Sequence, residues 1–185
     1  MANLIVLLGT TGVGKSTVSD VFEKKGYQGI SLDRIIKRMY PKKDNNNLSE
    51  EEIIAAYKKL GDEVEESLKN DKDVVVDEWF YLDNSFDYFF SRIKSPHKHH
   101  IFYFHLVADL EEVVKRNEKK PKPLPEDSVR EQYRLTLHSP GMYYRKLHPV
   151  EVRTDRLTPS EIVDNLLSQV LFKHKMVIED QLKGY

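Results

Sequence analysis

A glycine-rich loop near the start of the chain ends in a lysine and a serine. Residues 9–16 read GTTGVGKS, with two glycines five positions apart followed by Lys15 and Ser16. Glycines let the backbone curl so that its N–H groups can point at phosphate oxygens, and a helix beginning at the loop adds partial positive charge. Lys15 would place a full charge at β- and γ-phosphates, and the Ser16 hydroxyl could bind Mg²⁺.

The loop therefore predicts a site for ATP, or for another nucleoside triphosphate, together with Mg²⁺. The alternative is a glycine-rich turn that carries a solvated lysine. An apolar strand before the loop and an amphipathic helix after it favour the phosphate site. The candidate nucleotide-binding residues in this stretch are Gly9, Thr10, Thr11, Gly12, Val13, Gly14, Lys15, Ser16 and Thr17.

A carboxylate follows the second predicted strand. The stretch GISLDRIIKRMYP at residues 29–41 places Asp33 directly after that strand and at the start of a short helix. A carboxylate beside a phosphate loop can accept the proton of a hydroxyl group as phosphoryl transfer begins, so Asp33 is a candidate catalytic base. It could also cap the helix. Arg34 could contact a substrate or lie exposed on the helix.

Two acidic residues end the third predicted strand. In VVVDEW, Asp77 could hold Mg²⁺ through water or position an acceptor, or it could be only a polar strand end. Glu78 supports a rival interpretation, because a second acid there could orient a water molecule for hydrolysis. The aromatic residues that follow are typical of a core or an interface, but they could also wall an acceptor pocket: Trp79, Phe80 and Tyr81.

A basic segment follows the fourth predicted strand and is interrupted by three prolines. We predict that residues of about 115–137 form a lid whose guanidinium groups neutralise charge on a transferred phosphoryl group. Arg116 is the leading candidate, and the sequence leaves open which of Arg130 and Arg134 completes the lid. The alternative is a charged segment that is simply solvated. The other basic residues here include Lys119, Lys120 and Lys122.

The elements that must position these residues alternate between apolar strands and amphipathic helices. Strands that are apolar throughout indicate a parallel sheet with both faces covered. The predicted fold class is α/β, a three-layer α/β/α arrangement with a parallel sheet of about five strands, in a single domain of residues 1–185. Ligands of such sheets bind at the carboxyl ends of the strands, where Lys15, Asp33 and Asp77 all fall.

Bulk composition narrows the classes of partner. The 185 residues carry a formal net charge of −1, which does not favour a nucleic-acid partner, although a local basic patch is possible. There is no cysteine, so a disulfide or a thiolate metal site is excluded. No apolar run approaches the roughly 20 residues that span a bilayer, and the first residues lack a signal-peptide pattern. We therefore expect a cytoplasmic protein without a membrane partner.

Three classes of protein share such a phosphate loop. A GTP switch normally carries an NKxD-type guanine reader, and the nearest string here, NEKK at residues 117–120, lacks the aspartate. A motor ATPase usually needs a longer module, and the transporter-type SGGQ signature is absent. A small phosphotransferase needs only the loop, a base for an acceptor hydroxyl and a basic lid, and all three are predicted.

The sequence resembles the P-loop small-molecule kinases, and within them the chloramphenicol phosphotransferase-like group, which is close to the polynucleotide-kinase and zeta-toxin types. The stretches that carry the resemblance span nearly the whole chain in the family's order. It implies a nucleotide-kinase-like P-loop fold, Asp33 as base, and Lys15 and Arg116 as catalytic cations. It also places Arg153 and Thr154 where such kinases wrap the adenine with backbone.

The resemblance implies transfer of the γ-phosphate of ATP to a hydroxyl group of a small molecule. Its acceptor pocket has no firm motif, so the acceptor and the oligomeric state stay open. A kinase for a nucleoside or a polynucleotide 5′-hydroxyl is the alternative enzyme. The alternative of another class is a regulatory or binding protein that hydrolyses nucleotide by means of Glu78.

Overall fold

The protein is described by a computed structural model that covers residues 1–43, 47–80, 84–138 and 147–183, with side chains at all of these except 137, 138 and 172–183. These ranges contain five strands: β1 (Asn3–Leu8), β2 (Gln28–Ser31), β3 (Val74–Asp77), β4 (His100–Val107) and β5 (Val150–Arg153). The helices within these ranges are α1 (Lys15–Lys24), α2 (Leu32–Met39), α3 (Glu50–Lys69), α4 (Ser85–Phe90), α5 (Leu110–Glu118), α6 (Glu126–His138) and α7 (Pro159–Lys183).

The five strands form one parallel sheet in the order β2-β3-β1-β4-β5. The central strand β1 is buried on both sides, and each residue from Leu4 to Leu8 is at most 1% exposed. The unbroken apolar run from Leu4 to Leu8 is what a strand with two covered faces requires. The prediction of a parallel, about five-stranded α/β sheet is confirmed.

Two hydrophobic clusters, one on each face of the sheet, make the fold three-layered. Alternate residues of the same strand enter opposite clusters, so Leu4 and Val6 join one and Ile5 and Leu7 the other. The first cluster includes side chains from α2, α3 and α4, and the second includes side chains from α1, α5, α6 and α7. Among the described residues, no helix has both the length and the apolarity to cross a membrane.

Strand register brings the predicted site residues to one edge. Leu7 of β1 pairs with Asp77 of β3, and Ser31 of β2 pairs with the same Asp77. The phosphate loop after β1 and the start of α2 after β2 therefore flank the carboxyl end of β3. This is the edge at which ligands of parallel sheets bind.

Candidate active site

The phosphate loop is tightly enclosed by backbone from two other elements. Gly9 and Gly12 have φ angles of +137° and +82°, which side chains other than glycine rarely adopt. A Cβ atom at Gly9 would lie 2.5 Å from the Leu106 carbonyl oxygen, and one at Gly12 would lie 2.9 Å from the Val113 carbonyl oxygen. Only glycine fits at these two positions, and the resulting curl can direct amide groups at an anion.

The remaining loop residues fall into buried and accessible sets. Val13 packs in the core, and Thr10 is buried with a hydroxyl that has no hydrogen-bond partner among the described residues. Thr11 accepts a hydrogen bond from Lys120, and Ser16 and Thr17 are exposed on the first turn of α1. The loop thus offers hydroxyl groups and accessible backbone on the side away from the core, which suits a phosphate ligand.

Lys15 lies over the loop. Its Nζ atom donates hydrogen bonds to the carbonyl oxygens of Gly9 at 2.7 Å and Thr10 at 3.0 Å. Burial lowers the pKa of Lys15, while the nearby carboxylates of Glu78 and Asp77 act in the opposite direction. The ammonium group is therefore positioned where the loop would receive phosphate oxygens, with acidic groups close by.

Ser16 and Asp77 form an oxygen pair that fits Mg²⁺. The Ser16 hydroxyl donates a 2.7 Å hydrogen bond to Oδ2 of Asp77 across 61 positions of sequence. Burial raises the pKa of Asp77, whereas Ser16 and Lys15 oppose that rise. Hydroxyl and carboxylate oxygens are ligands that Mg²⁺ prefers. The structure thus brings together the two side chains that the sequence predicts as Mg²⁺ ligands, and their role as ligands stays a prediction.

Asp33 is exposed in the first turn of α2. Its charge contributes to the pKa shifts of the groups around the site, which are Lys15, Asp77, Glu78 and Lys120. The helix cap is Ser31, whose hydroxyl accepts a hydrogen bond from the Arg34 backbone N–H at 3.4 Å. The alternative in which Asp33 is the cap is wrong, because a cap must lie just before the helix and Asp33 lies inside it.

Arg34 points to α1. Its guanidinium contacts Glu23 at 2.5 Å and Asp20 at 3.5 Å, and it also donates to the Gly29 carbonyl oxygen. Glu23 raises the pKa of Arg34 further. The structure thus brings Arg34 into a two-carboxylate contact on α1, which the sequence could not indicate because the partners come from another helix.

Glu78 anchors the turn that follows β3. Its Oε1 atom accepts hydrogen bonds from the backbone N–H groups of Trp79 at 2.9 Å and Phe80 at 3.4 Å, and from the Tyr57 hydroxyl at 3.4 Å. Burial raises the pKa of Glu78 to about 7. The sequence did not predict this contact with Tyr57 of α3, because it joins residues that lie 21 positions apart.

The two described aromatic residues after Glu78 differ in burial, with Phe80 in the core and Trp79 partly exposed. Phe80 is 6% exposed and packs against the rings of Tyr57, Phe86 and Phe89, with centroid distances of 5.8, 5.3 and 5.3 Å. Trp79 is partly exposed. The predicted wall residue Tyr81 lies outside the described residues.

Arg116 connects the phosphate loop with the segment after β5. Its guanidinium donates to the Thr154 hydroxyl at 3.0 Å, the Thr154 carbonyl at 2.9 Å and the Val13 carbonyl at 3.4 Å, and it pairs with Glu112 at 2.8 Å. The Thr154 hydroxyl in turn donates to the Val13 carbonyl at 2.7 Å. Arg116 and Thr154 therefore lie directly beside the loop.

Arg153 is held by acidic partners. It pairs with Asp109 at 2.5 Å and with Asp155, and this contact lowers the pKa of Asp155. Arg130 contacts Glu111 and Glu126 at 2.9 and 2.7 Å, and Arg134 contacts Glu131 at 2.7 Å. Among the described residues, neither Arg130 nor Arg134 donates a hydrogen bond to the phosphate loop.

Lys120 does reach the phosphate loop. Its Nζ atom donates a 2.8 Å hydrogen bond to the Thr11 hydroxyl, 109 positions away in sequence. Burial lowers the pKa of Lys120, and the carboxylate of Asp33 opposes that effect. Residue type alone does not distinguish Lys120 from Lys119 and Lys122 of the same basic segment, and Lys122 also precedes a proline.

The phosphate loop follows the central strand of a parallel sheet, and the Ser16–Asp77 oxygen pair lies at the same edge. Together these features define the P-loop nucleotide-binding class. The chain belongs to the family described as AAA domain, whose sequence model matches residues 4–137. No curated protein matches the chain.

Several solved structures share the fold. A gluconokinase from Sinorhizobium meliloti 1021 has a TM-score of 0.65 at 19% identity, over 96% of this chain and 97% of that one. The tunicamycin resistance protein of Deinococcus radiodurans has a TM-score of 0.67 at 14% identity, over 92% and 96%. A shikimate kinase from Bacteroides thetaiotaomicron has a TM-score of 0.66 at 16% identity, over 90% and 97%. The resemblance to P-loop kinases is confirmed at the level of the fold.

Proposed function

We propose that the protein is a kinase that transfers the γ-phosphoryl group of ATP to a hydroxyl group of a small molecule. The observation that carries the proposal is an exposed carboxylate, Asp33, at the same sheet edge as Lys15 and the Ser16–Asp77 pair. A phosphate site and a base with access to solvent are the parts that transfer to a hydroxyl requires. Kinase-like structural neighbours support the same class.

The proposed reaction assigns one task to each group. The acceptor oxygen forms a bond to the γ-phosphorus, the bond from that phosphorus to the bridging oxygen of ADP breaks, and the acceptor proton passes to Asp33. Lys15 and the loop amides would hold the phosphates, and Ser16 and Asp77 would hold Mg²⁺, which would neutralise phosphate charge. The proposed adenine contacts are the backbone of Arg153 and Thr154.

Arg116 is the second proposed catalytic cation, after Lys15. The position of its guanidinium supports this assignment, since a Cβ atom on the loop residue Gly14 would lie 3.7 Å from Arg116 Nη1. Its hydrogen bonds to Val13 and Thr154 also join the loop to the proposed adenine segment. Arg116 would thus supply positive charge at the phosphates and fix the distance between the phosphate loop and the proposed adenine segment.

The lid proposal can be narrowed by the contacts of α5 and α6. The buried side chain of Asn117 donates to the Leu124 carbonyl at 2.8 Å and accepts from the Leu124 N–H at 3.2 Å. The Tyr133 hydroxyl donates to the Ala108 carbonyl at 2.9 Å, and Val129 is fully buried. Within the predicted lid of residues 115–137, we therefore propose that residues 118–123 are the part that closes over the nucleotide. We also propose that residues 1–185 form a single domain.

The experiment that tests the proposed function follows the fate of labelled phosphate. Purified protein, Mg²⁺ and ATP labelled at the γ-position are incubated with and without small-molecule acceptors. A kinase forms a labelled organic product only when an acceptor is present. Release of labelled inorganic phosphate at the same rate with and without acceptors would instead support hydrolysis through Glu78, and labelled 5′-ends on an oligonucleotide would support the polynucleotide alternative.

We predict that Lys120→Ala lowers the rate of transfer by about 10- to 100-fold, because one charge-assisted hydrogen bond contributes roughly 1.5–3 kcal/mol. ATP affinity should change less than the rate if the charge acts mainly during transfer. Steady-state kinetics and nucleotide titration measure the two effects. Arg134→Ala is the control and should be near wild type, because Arg134 lies outside residues 118–123 and is paired with Glu131. Equal rates for Lys120→Ala and Arg134→Ala would contradict the assignment.

A further inference from the structure

Three acidic side chains lie at the proposed acceptor side of the site. Asp33, Asp77 and Glu78 lie at the carboxyl ends of β2 and β3, and the charge of Asp33 contributes to the raised pKa of both Asp77 and Glu78. The two nearby lysines, Lys15 and Lys120, are both hydrogen-bonded to the phosphate loop. An acceptor at Asp33 would therefore lie beside two further carboxylates, while both ammonium groups are directed at the loop.

The arginines nearest to this side are already paired with acids. Arg34 is held by Glu23 at 2.5 Å, and Arg38 of the same helix contacts Glu63 at 2.6 Å. A site for an anionic acceptor would instead direct a guanidinium group at the substrate, because planar paired donors match a carboxylate or a phosphate. On α2, both guanidinium groups have carboxylate partners from the protein itself.

One of the two carboxylate oxygens of Glu78 accepts hydrogen bonds from the protein. Among the described residues, every hydrogen bond that Glu78 accepts ends at Oε1, from Trp79, Phe80 and Tyr57. Phe80 adopts a φ of +49° in the same turn, a conformation that a bulky residue adopts only when its surroundings fix it. The carboxylate is therefore held in place by its first oxygen, and Oε2 is the oxygen that a ligand can use.

We infer that the acceptor is a neutral or cationic polyhydroxy or amino-alcohol compound, with the reacting hydroxyl at Asp33 and a second hydroxyl or ammonium group donating to Oε2 of Glu78. The inference rests on the proposed kinase function and adds the class of acceptor to it. Hydroxyl and ammonium donors gain charge-assisted hydrogen bonds from carboxylates. Sugar acids and polynucleotide ends are disfavoured, because their anionic groups would face like charge in a site of low dielectric.

The acceptor class is tested by fractionation according to charge. A polar metabolite extract, supplemented with sugars, amino sugars, sugar acids and nucleoside 3′-phosphates, is separated on an anion-exchange resin. Each fraction is incubated with the protein, Mg²⁺ and γ-labelled ATP. We expect labelled product from the unretained fraction, which holds neutral and cationic compounds. Labelled product from the retained, anionic fraction alone would overturn the inference and leave the kinase function standing.

The role of Glu78 is tested by Glu78→Gln, which keeps the shape of the side chain and removes its charge. At limiting acceptor we expect transfer to fall by about 10- to 100-fold, with recovery at high acceptor concentration and unchanged affinity for ATP. Glu66→Gln, an exposed change on α3, is the control. Glu78→Gln with an unchanged dependence on acceptor concentration would overturn the assignment.

Trp79 provides a readout that does not depend on turnover. It is the only tryptophan of the chain, and its backbone N–H is bonded to Glu78. Its fluorescence is titrated with the unretained fraction in the presence of Mg²⁺ and a non-hydrolysable ATP analogue. A saturable change that needs about 10- to 100-fold more acceptor in Glu78→Gln supports the inference. Equal titrations of the two proteins would overturn it, whereas no labelled product from either fraction would contradict the kinase function itself.

Discussion

Lys15→Ala is expected to lower the rate of phosphoryl transfer by roughly 10³-fold, the upper range for loss of one preorganised electrostatic group. The ammonium group lies 2.7 Å from the Gly9 carbonyl and 3.0 Å from the Thr10 carbonyl, over the loop that would receive the phosphates. Its charge is the one that opposes the negative charge of the β- and γ-phosphates. Initial rates with γ-labelled ATP measure the loss.

The fold should survive this change. Lys15 makes no ion pair at 4 Å or less among the described residues, and burial already disfavours its charged form. Thermal unfolding should therefore stay within a few degrees of wild type. Lys24→Ala, at an exposed position at the end of the same helix, is the matched control. Wild-type turnover in Lys15→Ala would contradict the assignment of the loop as a catalytic phosphate site.

The fold could be predicted because its signals are local. Five consecutive apolar residues at 4–8 indicate a strand with two covered faces, and the glycines that follow indicate a curl. Neither inference needs a partner from elsewhere in the chain. The same reasoning placed Asp33 and Asp77 at one edge, since carboxyl ends of parallel strands share an edge and the observed register joins Ser31 with Asp77.

The contacts within the site could not be predicted, because they join residues distant in sequence. Lys120 reaches Thr11 across 109 positions, and Tyr57 reaches Glu78 across 21. Arg130 and Arg134 have the residue type that a lid needs, but Arg130 is paired with Glu111 of α5 and Arg134 with Glu131 of its own helix. Which cation faces the nucleotide depends on pairing geometry, and residue type alone does not encode that geometry.

Asp33→Asn is expected to lower the rate of transfer by roughly 10²- to 10⁴-fold, the effect of losing a general base. Asparagine keeps the shape of the side chain but cannot accept the acceptor proton. Because Ser31 caps α2, the change leaves the helix cap in place. ATP affinity and thermal stability should therefore stay near wild type, while single-turnover rates with γ-labelled ATP fall.

Asp164→Asn, an exposed aspartate of α7 on the other face of the sheet, is the matched control and should keep full activity. A second comparison separates a base from a residue that only positions the acceptor. Loss of a base lowers the rate at saturating acceptor, whereas loss of a positioning contact is relieved by more acceptor. Full recovery of Asp33→Asn at high acceptor concentration would therefore assign Asp33 to binding and leave the proton to another group. Glu78 would then be the candidate base, because burial raises its pKa to about 7.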